Sequence, residues 1–134
     1  MVQAEMEKVL CWKSCKEFFQ MAKRDVGNEE IKIACIYVNL WDDFKDETEE
    51  LTYEFKIGEN GSKLSGGQKQ KLALARLFLI SNKTLLLDEA FSAIDVKDKI
   101  EIVDKLFAHY REDTVICVSH DMEIKQKFIS NIVV

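Results

Sequence analysis

The chain has 134 residues, which is enough for one domain with a single hydrophobic core. It carries 19 Lys and Arg residues against 24 Asp and Glu residues, a net charge of -5, and no basic block stands out. We therefore expect no electrostatic binding to nucleic acid. No apolar run approaches the roughly 20 residues of a membrane span, and the N-terminus lacks a signal pattern, so we expect a soluble intracellular protein.

The four cysteines do not form a recognisable metal or disulfide pattern. Only Cys11 and Cys15 are close together, and no second pair of Cys or His completes a tetrahedral spacing. Cys35 and Cys117 lie in apolar periodic segments, where we expect small buried side chains. The pattern favours free thiols.

The first elements predicted along the chain are helical. Residues 4–24 show an irregular helical pattern. A cleaner stripe with the spacing i, i+3, i+4, i+7 follows Asn28, which we expect to cap the helix. The members of this stripe are Ile31, Ala34, Cys35, Val38 and Trp41. These segments predict a small helical layer before any strand.

A glycine-rich stretch follows the helical layer and leads into a further helix. Leu72, Ala75 and Leu79 mark one apolar face of this helix, which we expect to run to about residue 80. Backbone N–H groups at its start, next to the Ser65 hydroxyl, suit an anion such as phosphate. An ordinary helix with a serine cap is the alternative. The glycines of the stretch are Gly58, Gly61, Gly66 and Gly67.

Two short apolar runs predict parallel strands. Thr84–Leu87 ends in the pair Asp88-Glu89, and Thr114–Val118 ends in Ser119-His120. A helix lies between the strands, and the order strand, helix, strand implies a parallel α/β sheet. Ile129–Val134 is predicted to start a third strand. The apolar stripe of the intervening helix consists of Ile100, Val103, Phe107 and Tyr110.

The polar residues at the two strand ends suit phosphoryl transfer. Asp88 can hold a hard cation through water, and Glu89 can accept a proton from an attacking water molecule. His120 leaves the end of the neighbouring strand, so it can reach the same site. Taken singly, an acidic turn and a strand-end histidine are often structural; their combination favours the functional interpretation.

Four segments, in this order, resemble motifs of the ATP-binding-cassette (ABC) family, exporter type. Leu64-Ser65-Gly66-Gly67-Gln68 resembles the family signature, and Leu85-Leu86-Leu87-Asp88-Glu89 resembles Walker B. Ser92-Ala93-Ile94-Asp95 resembles the D-loop, and His120 stands as the switch histidine. Gly58-Glu59-Asn60-Gly61 resembles the X-loop, which contacts the coupling helices of the transmembrane domain in exporters.

The resemblance implies an α/β fold: a partial RecA-like parallel sheet with helices, plus an N-terminal ABC helical subdomain. Residues 1–80 would form the helical subdomain, which ends in the signature helix. Residues 81–134 would form the C-terminal part of the RecA-like core, so the chain would be one incomplete ABC domain. ATP and Mg2+ are the implied cofactors.

The resemblance also implies roles for individual residues. Glu89 and His120 would be catalytic. Asp88 would bind the metal together with Gln3, which stands near the position of the family's Q-loop glutamine. The residues that would bind nucleotide are Ser65, Gly66, Gly67, Gln68 and Asp95.

The sequence departs from the family in one motif. A Walker A loop needs the pattern Gly-x-x-x-x-Gly-Lys-Ser/Thr, and none of the five glycines is followed by lysine. That loop supplies the main electrostatic clamp on the transferring phosphate. We therefore expect a fragment that is inactive alone and binds ATP and Mg2+ only with a partner that supplies Walker A. The loss of its strand should also leave the Thr114–Val118 edge unpaired and open to self-association.

Three functions remain open on the sequence. The first is a fragment of an exporter ATP-binding domain, cytoplasmic and peripheral to the membrane in its parent, which drives ATP-dependent export. Its partners would be an intact ABC cassette or the second half of the same domain. The second is a non-catalytic interaction module that docks on an intact cassette. The third is the C-terminal lobe of a chromosome-maintenance ATPase, although the chain lacks the heptads of the coiled coil that such lobes follow.

Overall fold

The computed structural model describes residues 15–44, 64–81 and 83–130. The sheet consists of β1, Thr84–Asp88, and β2, Thr114–Val118. A 3-10 helix, Arg76–Leu79, follows the fourth α-helix. The α-helices are α1 Cys15–Ala22, α2 Asn28–Tyr37, α3 Trp41–Phe44, α4 Gly66–Ala75, α5 Val96–His109 and α6 Met122–Lys125. No helix within these described ranges is long and apolar enough to span a membrane.

The predicted helical layer is present as α1, α2 and α3. The irregular pattern over residues 4–24 corresponds to α1, although residues 1–14 lie outside the described part of the chain. Gly27, not Asn28, is the N-cap of α2, so the predicted cap is wrong by one residue. The Gly27 N–H donates to the Glu30 carboxylate at 2.9 Å, which satisfies a donor at the helix start without a side-chain cap.

The stripe predicted for α2 does not belong to one helix. The helix ends at Tyr37, with Val38 as its C-cap, and Asn39 adopts a left-handed φ of 57°. Asparagine tolerates this conformation, and the Asn39 side-chain amide donates to Asp98 and Glu101 of α5, at 2.8 Å each. The half-buried Trp41 therefore starts a separate helix.

Helix α4 begins at Gly66, as the glycine-rich stretch predicts, and does not continue as an α-helix to residue 80. Its last turn tightens into the 3-10 helix Arg76–Leu79. The Tyr110 hydroxyl, from the end of α5, donates to the Leu77 carbonyl of this 3-10 turn at 2.6 Å. The last carbonyl groups of a helix have no partner within the helix, and this bond gives the Leu77 carbonyl a donor.

The two strands are parallel, as predicted, and β1 extends one residue further, to Asp88. Their register pairs Thr84 with Thr114 and Asp88 with Val118. The C-terminal ends of both strands therefore lie at one edge of the sheet. In the described ranges the sheet has two strands; Ile129 and Ser130 are not in a strand, and residues 131–134 lie outside the description.

Helix α5 connects the strands and buries a face next to the one predicted. Lys99 of this helix is also buried and pairs with Asp121 at 2.9 Å. Apolar residues of α5 lie on two adjoining faces of the helix, each with a spacing of three or four residues. The packing of α5 against the core determines which of the two faces is buried. The fully buried residues are Ile102, Val103, Leu106 and Tyr110, whereas Ile100 and Phe107 are half-buried.

One hydrophobic core includes residues from the helical layer, α4, β1 and α5. The sheet meets this core through one face, which carries the buried Leu85 and Leu87. Its other face is open: Leu86, Ile116 and Val118 are 42%, 50% and 51% exposed. Parallel sheets are normally covered on both faces, so this surface is an apolar patch with no cover from the described residues.

The described cysteines carry free thiols. Cys15 and Cys35 are fully buried, and burial raises the pKa of Cys35 to about 12 and that of Cys15 further still. Cys117 lies in a segment where we expect small buried side chains, and it is half-buried. It pairs with Leu87 on the core-facing side of the sheet and packs only partly against the core.

Candidate functional site

The start of α4 is organised by Ser65 and Gln68. The Ser65 hydroxyl oxygen accepts the Gln68 N–H at 3.1 Å, and the Gln68 side-chain oxygen accepts the Ser65 N–H at 3.0 Å. This reciprocal capping box fixes the entry to the helix. Because the Ser65 oxygen acts as an acceptor in this bond, its O–H hydrogen can still donate to a ligand from an exposed position.

Gly66 and Gly67 bring the start of α4 against the loop that follows β1. A Cβ atom on Gly67 would lie 2.8 Å from the Ala93 carbonyl oxygen, closer than side-chain atoms approach backbone. A Cβ atom on Gly66 would lie 3.6 Å from the Ala93 side chain, which is an ordinary contact. Gly67 is therefore required by the packing between the signature segment and the D-loop segment.

The predicted pair of carboxylates lies where β1 ends. Asp88 is the last strand residue, and Glu89 follows with a left-handed φ of 48°, a conformation that costs a residue with a side chain about 1–3 kcal/mol. The Glu89 N–H donates to the Val118 carbonyl of β2 at 2.8 Å. The neighbouring strand thus holds the strained residue in place.

Glu89 and His120 lie close together, as their positions at neighbouring strand ends predict. The His120 Nε2 atom is 3.3 Å from the Glu89 Oε1 atom, although this oxygen has no hydrogen-bond partner among the described residues. The histidine side chain is 95% exposed and that of Glu89 is 24% exposed. The carboxylate is therefore sheltered, whereas the imidazole is open to a ligand.

The strand ends form a negative region that suits a cation. Burial, reinforced by the charges of Glu89, Asp121 and Asp88, raises the pKa of the Cys117 thiol to about 11. The described residues contain no group of three possible metal ligands. Mg2+ ordinarily uses one or two protein carboxylates plus phosphate oxygens and water, so the single carboxylate of Asp88 fits such a site.

The remaining predicted site residues lie elsewhere. Asp95 is the N-cap of α5, where its carboxylate accepts the Asp98 N–H at 3.0 Å from an exposed position. Gln3 and the Gly58–Gly61 segment fall outside the described residues. The structure thus brings Asp88, Glu89 and His120 to one sheet edge and places the signature glycines beside the connecting loop.

Sequence reasoning missed Gln70, which links these two groups. Gln70 is buried, and its side chain bonds to the loop between β1 and α5. It occupies the same helix face as Leu74 and Leu77, which are also buried. A polar residue at a core position of a helix was the signal that could have found it, because buried polar groups need partners.

Comparison with known proteins identifies the family. The family described as ABC transporter matches residues 13–92. The chain is 35% identical over 99 residues, 74% of its length, to the ATP-dependent lipid A-core flippase of Thiobacillus denitrificans. It is 37% identical over 106 residues, 79% of its length, to an ABC-type transporter of Aspergillus fumigatus.

A solved structure agrees with these relatives. It is described as a bacterial Atm1-family ABC exporter with ATP bound, and it matches 86% of this chain with a TM-score of 0.74 and 25% sequence identity. The chain spans 17% of the flippase, 8% of the fungal transporter and 20% of the chain in the solved structure. The α/β fold is thus that of the RecA-like ABC ATPases, and the chain belongs to the ABC transporter family.

Proposed function

We propose that this chain is part of the ATP-binding domain of an ABC exporter, which couples ATP hydrolysis to export across a membrane. The observation that carries this proposal is the meeting of Glu89 and His120, 3.3 Å apart at the C-terminal edge of two parallel strands. The serine-capped start of α4, packed on the loop that leaves the same edge, supports it. In this proposal the parent's membrane domain contacts Gly58–Gly61, and the chain lies on the cytoplasmic side.

At the start of α4, we expect the side chains and backbone to contact a phosphate. Ser65 donates its free O–H hydrogen, and Gly66 and Gly67 let the phosphate approach backbone N–H groups. Gln68 holds Ser65 in the donating geometry through the capping box. Asp95, at the start of α5, contributes from the adjoining D-loop segment.

At the sheet edge, the proposed roles follow from charge and reach. Asp88 contributes a carboxylate to Mg2+, with Gln3 as the second proposed ligand. Bound Mg2+ would neutralise charge that develops on the phosphate oxygens. Glu89 accepts the proton of the attacking water, and His120 holds the transferred phosphate from its exposed position beside Glu89. The division into residues 1–80 and 81–134 remains a prediction.

The residues present do not complete an ATP site, since the sequence contains no Walker A pattern. We expect the chain alone to bind ATP weakly and to show no turnover above background, because positioning of the phosphate must precede acid–base catalysis. Titration with a fluorescent ATP analogue and Mg2+ tests the first statement. Hydrolysis by the purified chain that Glu89→Gln abolishes would contradict the second.

The open sheet face supplies the surface for a partner, either the second half of the domain or an intact cassette. Until it is covered, we expect this face and the β2 edge to drive self-association. Ile116→Lys places a charge in the centre of the face, and Ile33→Lys is a matched control on α2, where Ile33 is 47% exposed. Sedimentation should show weaker self-association for Ile116→Lys only. Equal self-association of the two variants would show that the open sheet face does not drive it.

A second candidate function is a non-catalytic module that docks on an intact cassette. The exposed Ser65 hydroxyl, together with the missing Walker A pattern, favours it, because this chain can complete a partner's phosphate site but not its own. Both functions predict that the chain binds a catalytically slow exporter cassette, and that this binding depends on ATP. The two functions differ in catalysis. If the chain is part of a catalytic domain, adding the other half of that domain should produce ATP hydrolysis; if it is a non-catalytic module, it should not.

The decisive experiment compares two arginine variants in a pull-down with that cassette. A charge-assisted hydrogen bond contributes about 1.5–3 kcal/mol, so Ser65→Arg, which also adds bulk, should weaken association about tenfold or more. Ser81→Arg is the matched control, since Ser81 is also exposed but lies beyond the 3-10 turn. Equal association with and without ATP, or equal effects of the two variants, would overturn the proposed contact.

A further inference from the structure

Gln70 lies inside the protein at the junction of α4 and the loop between β1 and α5. Its residue exposure is 7%, and it makes hydrogen bonds at both ends of its amide. The Nε2 atom donates to the Glu89 carbonyl at 3.2 Å and to the Ser92 hydroxyl at 2.9 Å. The Oε1 atom accepts the Ala93 N–H at 2.7 Å. One side chain thus spans the loop that carries the proposed base.

The partners of Gln70 determine the orientation of its amide. A backbone N–H can only donate and a backbone carbonyl can only accept, so the oxygen must face Ala93 and the nitrogen must face Glu89. The opposite orientation would place two donors together at Ala93 and two acceptors together at Glu89. Glutamine therefore suits this position because its amide has both a donor and an acceptor, a combination that neither an ionised glutamate nor a methionine provides.

The loop is also held from the start of α4. Gly67 packs directly on the Ala93 carbonyl, while Gln70, one turn further along α4, holds the Ala93 N–H. Both sides of one loop residue thus contact the same helix. The start of α4 and the loop cannot move independently without breaking one of these contacts.

The contact continues to the Glu89 side chain. Its left-handed backbone is held on one side by the bond from its N–H to Val118 and on the other by the bond from Gln70 to its carbonyl. The direction of the Glu89 carboxylate, which faces His120, depends on this backbone. A shift of the loop would therefore change the Glu89–His120 geometry.

We propose that Gln70 is a positioning residue that couples the phosphate-facing start of α4 to the backbone of Glu89. The meaning of this coupling for ATP hydrolysis rests on the proposed function. The coupling itself is a property of the chain and can be measured without nucleotide or partner, so its failure and the failure of the proposed function are distinguishable.

The first test measures amide hydrogen exchange in the whole chain by NMR. Gln70→Met keeps the volume and removes all three hydrogen bonds of the side chain. Gln20→Met is the matched control on the exposed side of α1. We expect about tenfold faster exchange or more at Ala93 in Gln70→Met, with β1 amides unchanged. Unchanged exchange at Ala93, or an equal increase throughout β1, would overturn the proposal, the latter by showing simple destabilisation.

The second test separates coupling from a purely structural role. Ser65→Ala perturbs the start of α4, and we expect it to shift the amide resonance of Glu89. In the Gln70→Met background the same substitution should leave that resonance in place. An equal shift in both backgrounds, or no shift in either, would refute coupling through Gln70.

The conservative variant Gln70→Glu supplies a pH readout. An ionised glutamate retains the acceptor for the Ala93 N–H and lacks the donor for the Glu89 carbonyl, whereas a protonated one can restore a single donor. After correction for intrinsic exchange rates, Ala93 should remain protected, and the Glu89 resonance should return toward its wild-type position as the pH falls. A resonance that ignores pH would contradict the role assigned to the donor.

Discussion

Gly67→Ala tests whether the start of α4 is packed against the D-loop segment as the structure shows. In a helix, replacement of glycine by alanine ordinarily stabilises by about 0.5–1 kcal/mol, because it reduces the backbone entropy lost on folding. At Gly67 the added Cβ would lie 2.8 Å from the Ala93 carbonyl oxygen. Backbone must then shift, and overpacking of this kind typically costs about 1–3 kcal/mol.

Gly66→Ala provides the matched control one residue away, because its Cβ would meet the Ala93 side chain at an ordinary 3.6 Å. Both variants share the ordinary gain from removing a glycine, so the difference between them is the overpacking cost of about 1–3 kcal/mol, with Gly67→Ala the less stable. Urea unfolding of both variants, monitored by circular dichroism, measures it. Equal stabilities, or a more stable Gly67→Ala, would refute the close approach of α4 to Ala93.

Two further predictions concern bonds that hold α5 to its neighbours. Tyr110→Phe removes the donor to the Leu77 carbonyl and should reduce the free energy of unfolding by about 1–3 kcal/mol in urea denaturation. Burial alone would raise the pKa of Asp98, but bonds from Lys71 and Asn39 outweigh it and lower the pKa. The resulting stabilisation is present above the unfolded pKa of about 3.9 and is lost as the pH falls through the lower pKa of the folded state. The difference in free energy of unfolding between the wild type and Asp98→Asn should therefore shrink as the pH falls through this range.

Local patterns in the sequence were sufficient to predict the family, the parallel strands and the residues at their ends. Thr114–Val118 is observed with the predicted bounds, and Glu89 meets His120 because parallel strands place their C-terminal ends together. Such inferences succeed because apolar spacing and motif order are properties of neighbouring residues.

Only the tertiary structure decided the features that depend on distant partners. Helix α2 stops before Asn39 although its apolar stripe continues, and the Asn39 side chain bonds to α5, 59 residues away at Asp98. In the sequence, Gln70 is likewise only a polar residue on a helix. In the structure, both ends of its amide bond to a loop that lies 19 to 23 residues later in the chain. Apolar periodicity cannot predict such bonds, because a hydrogen bond between distant residues forms only when packing has brought its donor and acceptor together.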